Sequence, residues 1–288
     1  MMEVDRPEYS ASVVFHDCIS VKRDQNLKIR LQGITSDIIN AETSYDKNAK
    51  SLAFHEIKAE QFVGKSVTIS EMEDLYSTVF ARKSSPVRKK YYDELMLSAE
   101  NGTCPMCGQR DVSTLDHYLP KAKNPSLAVT PINLVPACKE CNHIKFDHHP
   151  EAADQQFIHP YYDKLPFGIW MVADLDQSKP PALKYRISHQ PDCDEMLAKR
   201  LVWHFEELSL AKLYASQSGK QLAGIADRLR AAADRGGKDE VRFSLDEDAR
   251  SWSKVNLNGW QAVMYRTLAG SDWFCEEGYA YAGEKRIR

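Results

Sequence analysis

The sequence predicts a mainly helical α+β chain. Two observations carry the helices: apolar residues recur at helical spacing near both ends of the chain, as Leu27, Leu31, Ile34 and Ile38 and again as Leu197, Leu201, Phe205, Leu208 and Leu213. Strand content is marked by Leu183, Tyr185 and Ile187, which alternate within 182–188. A third observation organises the middle. Two C-x2-C pairs, Cys104 with Cys107 and Cys138 with Cys141, bracket a polar stretch, and four thiolates at that spacing can close a tetrahedral structural zinc site.

In chain order, residues 11–40 read as helical, although Gly33 in mid-helix would cost about 1 kcal/mol against Ala. Residues 41–50 are polar and read as a loop. Ser70 precedes Met72, Leu75, Tyr76 and Val79, the face of a second helix. Ser85-Pro86 fits an N-cap followed by proline in the first turn. The helix it starts carries Tyr91, Leu95 and Leu97, ends near Gly102 and delivers the chain into the first knuckle; its basic residues could touch a phosphate backbone, but Tyr91 and Leu95 read as core. After the knuckles, Phe157, Tyr161, Tyr162, Phe167 and Trp170 form a dense aromatic stretch, for which burial is the commoner fate than base stacking. Beyond the 182–188 strand comes a long helix over 194–216, with His204 read as a structural histidine. A further helix over 221–234 is ended by Gly236-Gly237, 238–251 is charged and exposed, and a last helix lies near 259–269. These elements divide the chain into an N-terminal helical region (1–98), a central core (99–155) and a C-terminal mainly helical domain (156–288).

Composition narrows the setting. The 288 residues can bury a substantial core, and a net charge of −3 with 27% charged residues describes no globally basic protein. Any nucleic-acid surface must therefore be local, because phosphate binding needs clustered Lys and Arg. The basic clusters are Arg82 to Lys90, Lys121 with Lys123, and Lys285, Arg286 and Arg288; taken singly, each reads as a solvated face. Three cysteines remain outside the knuckles, and this odd remainder argues against a disulfide framework. Paired C-x2-C then reads as metal in a reducing cytoplasm, favoured over a redox pair. The start MMEVDRPEYS lacks the apolar run of a signal peptide, and no later stretch is apolar enough to span a bilayer.

The stretch LDHYLP followed by NLVPACKECNHIK resembles the HNH endonuclease family over about residues 100–147. The resemblance implies a ββα-metal core: Asp116-His117 on the first strand of a hairpin, Asn133 at the loop into the second, and a short helix carrying Asn142. It departs from the family name in having Asn142 where the last His stands. His143 is adjacent, but neighbours on a helix point about 100° apart and cannot share one face. The implied activity is hydrolysis of nucleic-acid phosphodiester bonds, most plainly DNA, leaving a 5′-phosphate and a 3′-hydroxyl.

The residue roles follow on that resemblance. His117 is the general base, with an ordinary pKa near 6.5 suited to taking a proton from water. Asp116 and Asn142 are oxygen ligands of a divalent cation, Mg2+ or Mn2+, whose remaining shell would be waters and phosphate. Adjacent strand residues face opposite sides, so Asp116 and His117 require the strand to end, twist or bulge there. Asn133 positions the loop near His117; a simple turn-forming asparagine would look the same in sequence. Lys121 and Lys145 are candidate phosphate contacts. Asp147, His148 and His149 read as a solvated helix end. Specificity would come from the flanks or from a protein partner, and the arrangement resembles stand-alone bacterial HNH proteins, including nucleases of anti-phage defence. The alternatives are a zinc-stapled nucleic-acid or protein adaptor without catalysis, and an RNase.

Overall fold

A computed structural model of the chain describes residues 1–60, 62–64, 66–188 and 193–284. The basic cluster Lys285, Arg286 and Arg288 lies outside the described residues. Two compact units are resolved, Met1–Leu165 and Pro166–Arg288, and among the described residues no helix is long and apolar enough to cross a membrane. Helices dominate, and among the described residues three two-stranded antiparallel sheets supply the β component.

The first unit opens with α1 (Ala11–Ser20), α2 (Gln25–Gly33) and α3 (Thr35–Lys50). The helical region expected over 11–40 is thus broken, and the cause is local. Asp24 caps α2, its carboxylate accepting the Asn26 and Leu27 amides at 2.9 and 3.1 Å. Gly33 ends α2 rather than interrupting a helix, which removes the cost anticipated for it. The loop expected over 41–50 is instead the second half of α3. There Tyr45 and Ala49 are buried, and Lys50 pairs with Asp46 one turn back at 2.5 Å.

A minimal hairpin follows, β1 (Phe62–Val63) with β2 (Val67–Thr68). Its turn uses Gly64 at φ +56, where a Cβ would collide with the Ile34 side chain. Thr68 then starts α4 (Ile69–Leu75) through a reciprocal capping box with Glu71. The helix continues as a wider π turn, Tyr76–Phe80. A second helical run begins at Pro86, with Ser85 before it; it is π-wound over Arg88–Tyr92 and α-wound as α5 (Asp93–Leu97). Tyr91 and Leu95 are buried as expected, and Leu97 is exposed.

The central hairpin pairs β3 (Thr114–His117) with β4 (Leu134–Ala137), with Asp116 opposite Val135 and His117 opposite Leu134. The short α6 (Lys139–Lys145) follows. The hairpin does not stand alone. Leu115, Ala128, Val129 and Leu134 join Phe15, Leu31, Ile38, Leu75, Phe80 and Tyr91 in one hydrophobic core, so the N-terminal helices form the wall behind it. The aromatics after α6 are also structural. His159 is buried, stacks on Tyr118 at 4.2 Å and meets the Tyr45 hydroxyl at 2.8 Å.

In the second unit, β5 (Met171–Asp176) and β6 (Ala182–Ile187) pair with Ala173 opposite Tyr185. The partner strand β5, which the sequence reading does not name, follows directly on the aromatic stretch. Trp170 is buried beside it, whereas Phe167 is fully exposed. The helix expected over 194–216 divides into α7 (Glu195–Glu207) and α8 (Leu210–Val255), because Ser209 adopts a left-handed conformation at φ +51. Within that range the helical backbone ends at Gly236-Gly237, as expected from the sequence: Gly237 takes φ +64, and the chain folds back so that Arg228 meets Ser244 and Asp248. Residues 238–251, expected to be exposed for their charge, are helical and bury Val241, Leu245 and Ala249 on one face. The unit closes with α9 (Trp260–Ala269) and α10 (Asp272–Glu276).

Candidate active site and metal centre

The two knuckles converge. The Sγ atoms of Cys104, Cys107, Cys138 and Cys141 all lie within 4.8 Å of one another, and all four residues are buried. A tetrahedron with Zn–S bonds of about 2.3 Å has edges of about 3.8 Å, so the cluster fits one zinc ion with little adjustment. Its backbone is already arranged for thiolates: the Arg110 amide donates to Cys107 Sγ at 3.5 Å and the Cys141 amide to Cys138 Sγ at 3.3 Å. Four thiols this close cannot ionise independently. S–H donation from Cys104 and its neighbours pulls Cys107 well down, and Cys141 is pushed up in turn. A bound cation resolves that competition.

Cys138 is also the N-cap of α6, so the metal cluster fixes the helix that approaches β3. Lys145, at the end of α6, has a fully buried side chain. Its Nζ lies 3.2 Å from Asp116 Oδ2 and 3.4 Å from Oδ1, and donates to the His117 carbonyl at 2.6 Å. This corrects the reading of Lys145 as a phosphate contact: the ammonium is inside, neutralising Asp116. Its position could have been found from spacing, since Lys145 falls one turn after Cys141, a residue bound to face the cluster. Burial raises the Asp116 carboxyl above its ordinary range, and the Lys145 charge opposes that rise.

Asn142 precedes Lys145 by three residues, about 60° around the helix, and so shares the face turned to Asp116. It is half-buried, while His143 is exposed. Among the described residues, no hydrogen bond engages the Asn142 side-chain amide. Asp116 and Asn142 together offer hard oxygen donors of the type Mg2+ and Mn2+ take. A cation there must share Asp116 with Lys145 or displace it.

His117 is the last residue of β3 and turns to the other side of the strand. Its Nε2 lies 2.8 Å from the Ala128 carbonyl, which can only accept, so Nε2 carries the proton and Nδ1 keeps its lone pair. The ring packs edge-on against Tyr76, with centroids 4.4 Å apart. Burial pulls the imidazole down to about 3, with Lys121 and Lys145 adding to the effect, so it is neutral at physiological pH. The Tyr76 contact had no signal in the sequence, because the tyrosine comes from the N-terminal helices.

Asn133 is fully buried and clamps the loop between the strands. Its Oδ1 accepts the Leu119 amide at 2.8 Å, and its Nδ2 donates to the Leu119 and Leu127 carbonyls at 3.0 and 3.3 Å. Its own carbonyl accepts the Tyr118 amide at 2.8 Å. The clamp thus joins the residues after His117 to the turn that presents Ala128. Lys121 is partly exposed at the rim, 3.8 Å from Glu73 and 6.0 Å from the Tyr76 ring centre. Asp147 faces Lys123, and His148 and His149 meet the Gln155 and Pro150 carbonyls at 3.1 and 3.3 Å.

The model of the HNH endonuclease family matches residues 104–147, from the first knuckle through α6. The chain is also similar to Protein ea31 of Escherichia phage lambda, 29% identical over 235 residues that make up 76% of this chain and 78% of that protein. No solved structure matches the chain. The HNH domain identifies a nuclease-type core and implies a nucleic-acid substrate.

Proposed function

We propose that the chain is a metal-dependent endonuclease that hydrolyses phosphodiester bonds of DNA, with His117 as general base. The observation that carries this reading is the His117 imidazole: neutral, fixed in one tautomer by the Ala128 carbonyl, and adjacent to Asp116 inside the matched segment. Nδ1 takes a proton from the water whose oxygen bonds to phosphorus, the P–O3′ bond breaks, and the leaving 3′-oxygen takes a proton from solvent, giving a 5′-phosphate and a 3′-hydroxyl. A Mg2+ or Mn2+ ion held by Asp116 and Asn142 would stabilise negative charge on the phosphate and the leaving oxygen. Asn133 keeps the base in place by fixing both chain segments around it. Lys121, at the rim beside Tyr76, is positioned to meet a phosphate.

One observation favours a second reading, a zinc-stapled binding module without catalysis: Lys145 already neutralises Asp116. The two separate by experiment. Purified chain is incubated with plasmid DNA and with RNA across Mg2+ and Mn2+ series. The parent is expected to cut DNA, and His117→Ala to lose about 10² to 10⁴ in rate with its zinc retained. Cleavage at parental rate by His117→Ala would remove the base assignment. A parent inert with every divalent ion would leave the binding module, and cleavage of RNA alone an RNase. Targeting by a protein partner is supported by the two large flanks and the near-neutral charge, and a role in anti-phage defence by resemblance.

A further inference from the structure

A cavity of about 470 Å3 opens on the first unit between the α1–α2 turn, the end of the π turn after α4, and the start of the 86–97 helical run. Lys22 and Arg23 enter it from the first element, Thr78 and Arg82 from the second, and Ser84 and Ser85 from the third. No carboxylate lines it. Among the described residues, none of its three cations forms an ion pair. Lys22 is instead oriented by the Thr78 hydroxyl, at 3.3 Å. The contrast with neighbouring cations is direct: Arg88 is paired with Asp93 at 3.1 Å and Lys90 with Asp17 at 2.9 Å. The Ser85 hydroxyl is buried without a partner in the chain, which is costly unless something else meets it.

Three unpaired cations around one concavity repel one another in an otherwise acidic chain, and an anion relieves that repulsion. We propose that this cavity binds a phosphate of the DNA backbone away from the scissile bond. The proposal rests on the nuclease reading for the identity of the polymer, and on the cavity for the contact. The segment lining it also reaches the candidate site. Tyr76 packs on His117, and Thr78 and Arg82 follow within the next six residues. A duplex anchored at the cavity is therefore registered against the base through one continuous stretch of chain. Phosphate contacts of this kind position nucleic acid without reading sequence.

The test is fluorescence anisotropy of a labelled DNA duplex across a potassium chloride series, in the His117→Ala background to keep the duplex intact. The double variant Arg23→Ala/Arg82→Ala is expected to bind more weakly at every sequence, with a salt slope shallower by about 1 for each phosphate that the variant no longer neutralises. Arg23→Lys/Arg82→Lys should keep the parental slope, and so should Lys90→Ala, whose ammonium is committed to Asp17. Zinc content and circular dichroism check that the exposed arginine variants fold. An unchanged slope in the double alanine variant overturns the proposal. Calorimetry with inorganic phosphate separates the sources: phosphate binding that needs the arginines, with no change in the DNA slope, assigns the cavity to a free anion and also overturns it. If the chain cuts nothing yet the slope falls, the nuclease reading fails and the cavity assignment stands. If it cuts and the slope does not move, the reverse follows.

Discussion

The sharpest prediction concerns Lys145→Met. Methionine keeps the length of the buried stem and removes only the ammonium. The Lys145 side chain is 0% exposed and that of Asp116 6%, so the substitution strands a carboxylate out of water. It also leaves the His117 carbonyl without its 2.6 Å donor. Breaking one side of a buried pair costs about 3–5 kcal/mol, a large share of a typical domain's stability of about 5–15 kcal/mol. The unfolding midpoint in urea should fall accordingly, in buffer without chelator so that the zinc cluster stays loaded. Asp116→Asn in the same chain removes the stranded charge and should recover much of the loss. Divalent cation supplies the second arm. If Asp116 is a ligand, Mg2+ replaces the missing positive charge and stabilises the variant by about 2.7 kcal/mol at a hundredfold excess over its dissociation constant. The parent, already neutralised by Lys145, should respond less. A loss under about 1 kcal/mol would refute the buried pair, since an exposed pair contributes no more than that. Equal Mg2+ responses in parent and variant would refute Asp116 as a cation ligand.

Purified protein should contain a single tightly bound zinc ion per chain, and Cys138→Ser should lose both the metal and the fold of the first unit, because Cys138 also caps α6. Metal analysis and circular dichroism decide it; folded, zinc-free protein would contradict the cluster. Asn133→Ala leaves the Leu119 amide and carbonyl buried without their partner and should cost about 1–3 kcal/mol in urea unfolding, with cleavage falling further as the loop behind His117 loosens. Stability should also depend on His117 protonation. Its folded pKa of about 3 lies below the unfolded value near 6.5, so its contribution is present above that value and is lost as pH falls towards 3. At about 1.36 kcal/mol per unit the loss reaches at most about 5 kcal/mol, and His117→Ala should flatten the urea midpoint across that window.

The local chemistry of the central stretch was legible because covalent spacing dictates it. Two C-x2-C pairs can meet only if the chain between them folds back, and the hairpin and α6 appear where that demand puts them. The positions around Asn133 follow from the same closure. What escaped came from outside the stretch or from competition between local signals. Residues 41–50 and 238–251 were polar enough to read as exposed, yet each buries a narrow stripe, Tyr45 with Ala49 and Val241 with Leu245 and Ala249, because a helix needs only one face against a neighbour. Ser209 broke a stripe that periodicity ran straight through, since a left-handed residue leaves no mark on hydrophobic spacing. Lys145 was misplaced for the opposite reason. A lysine after a metal knuckle suggests a surface charge, but helical geometry sets it over the cluster face, where Asp116 accepts its charge. The same geometry turns Asn142 inward and His143 outward. One helix, fixed at its start by a metal ligand, thus sets both the charge on Asp116 and the identity of its neighbour, whereas the base opposite is oriented by Ala128 and by Tyr76 from the N-terminal helices. The two halves of the candidate site are supported by different parts of the chain. A substitution behind Tyr76 should therefore disturb the base while leaving the Asp116 side intact.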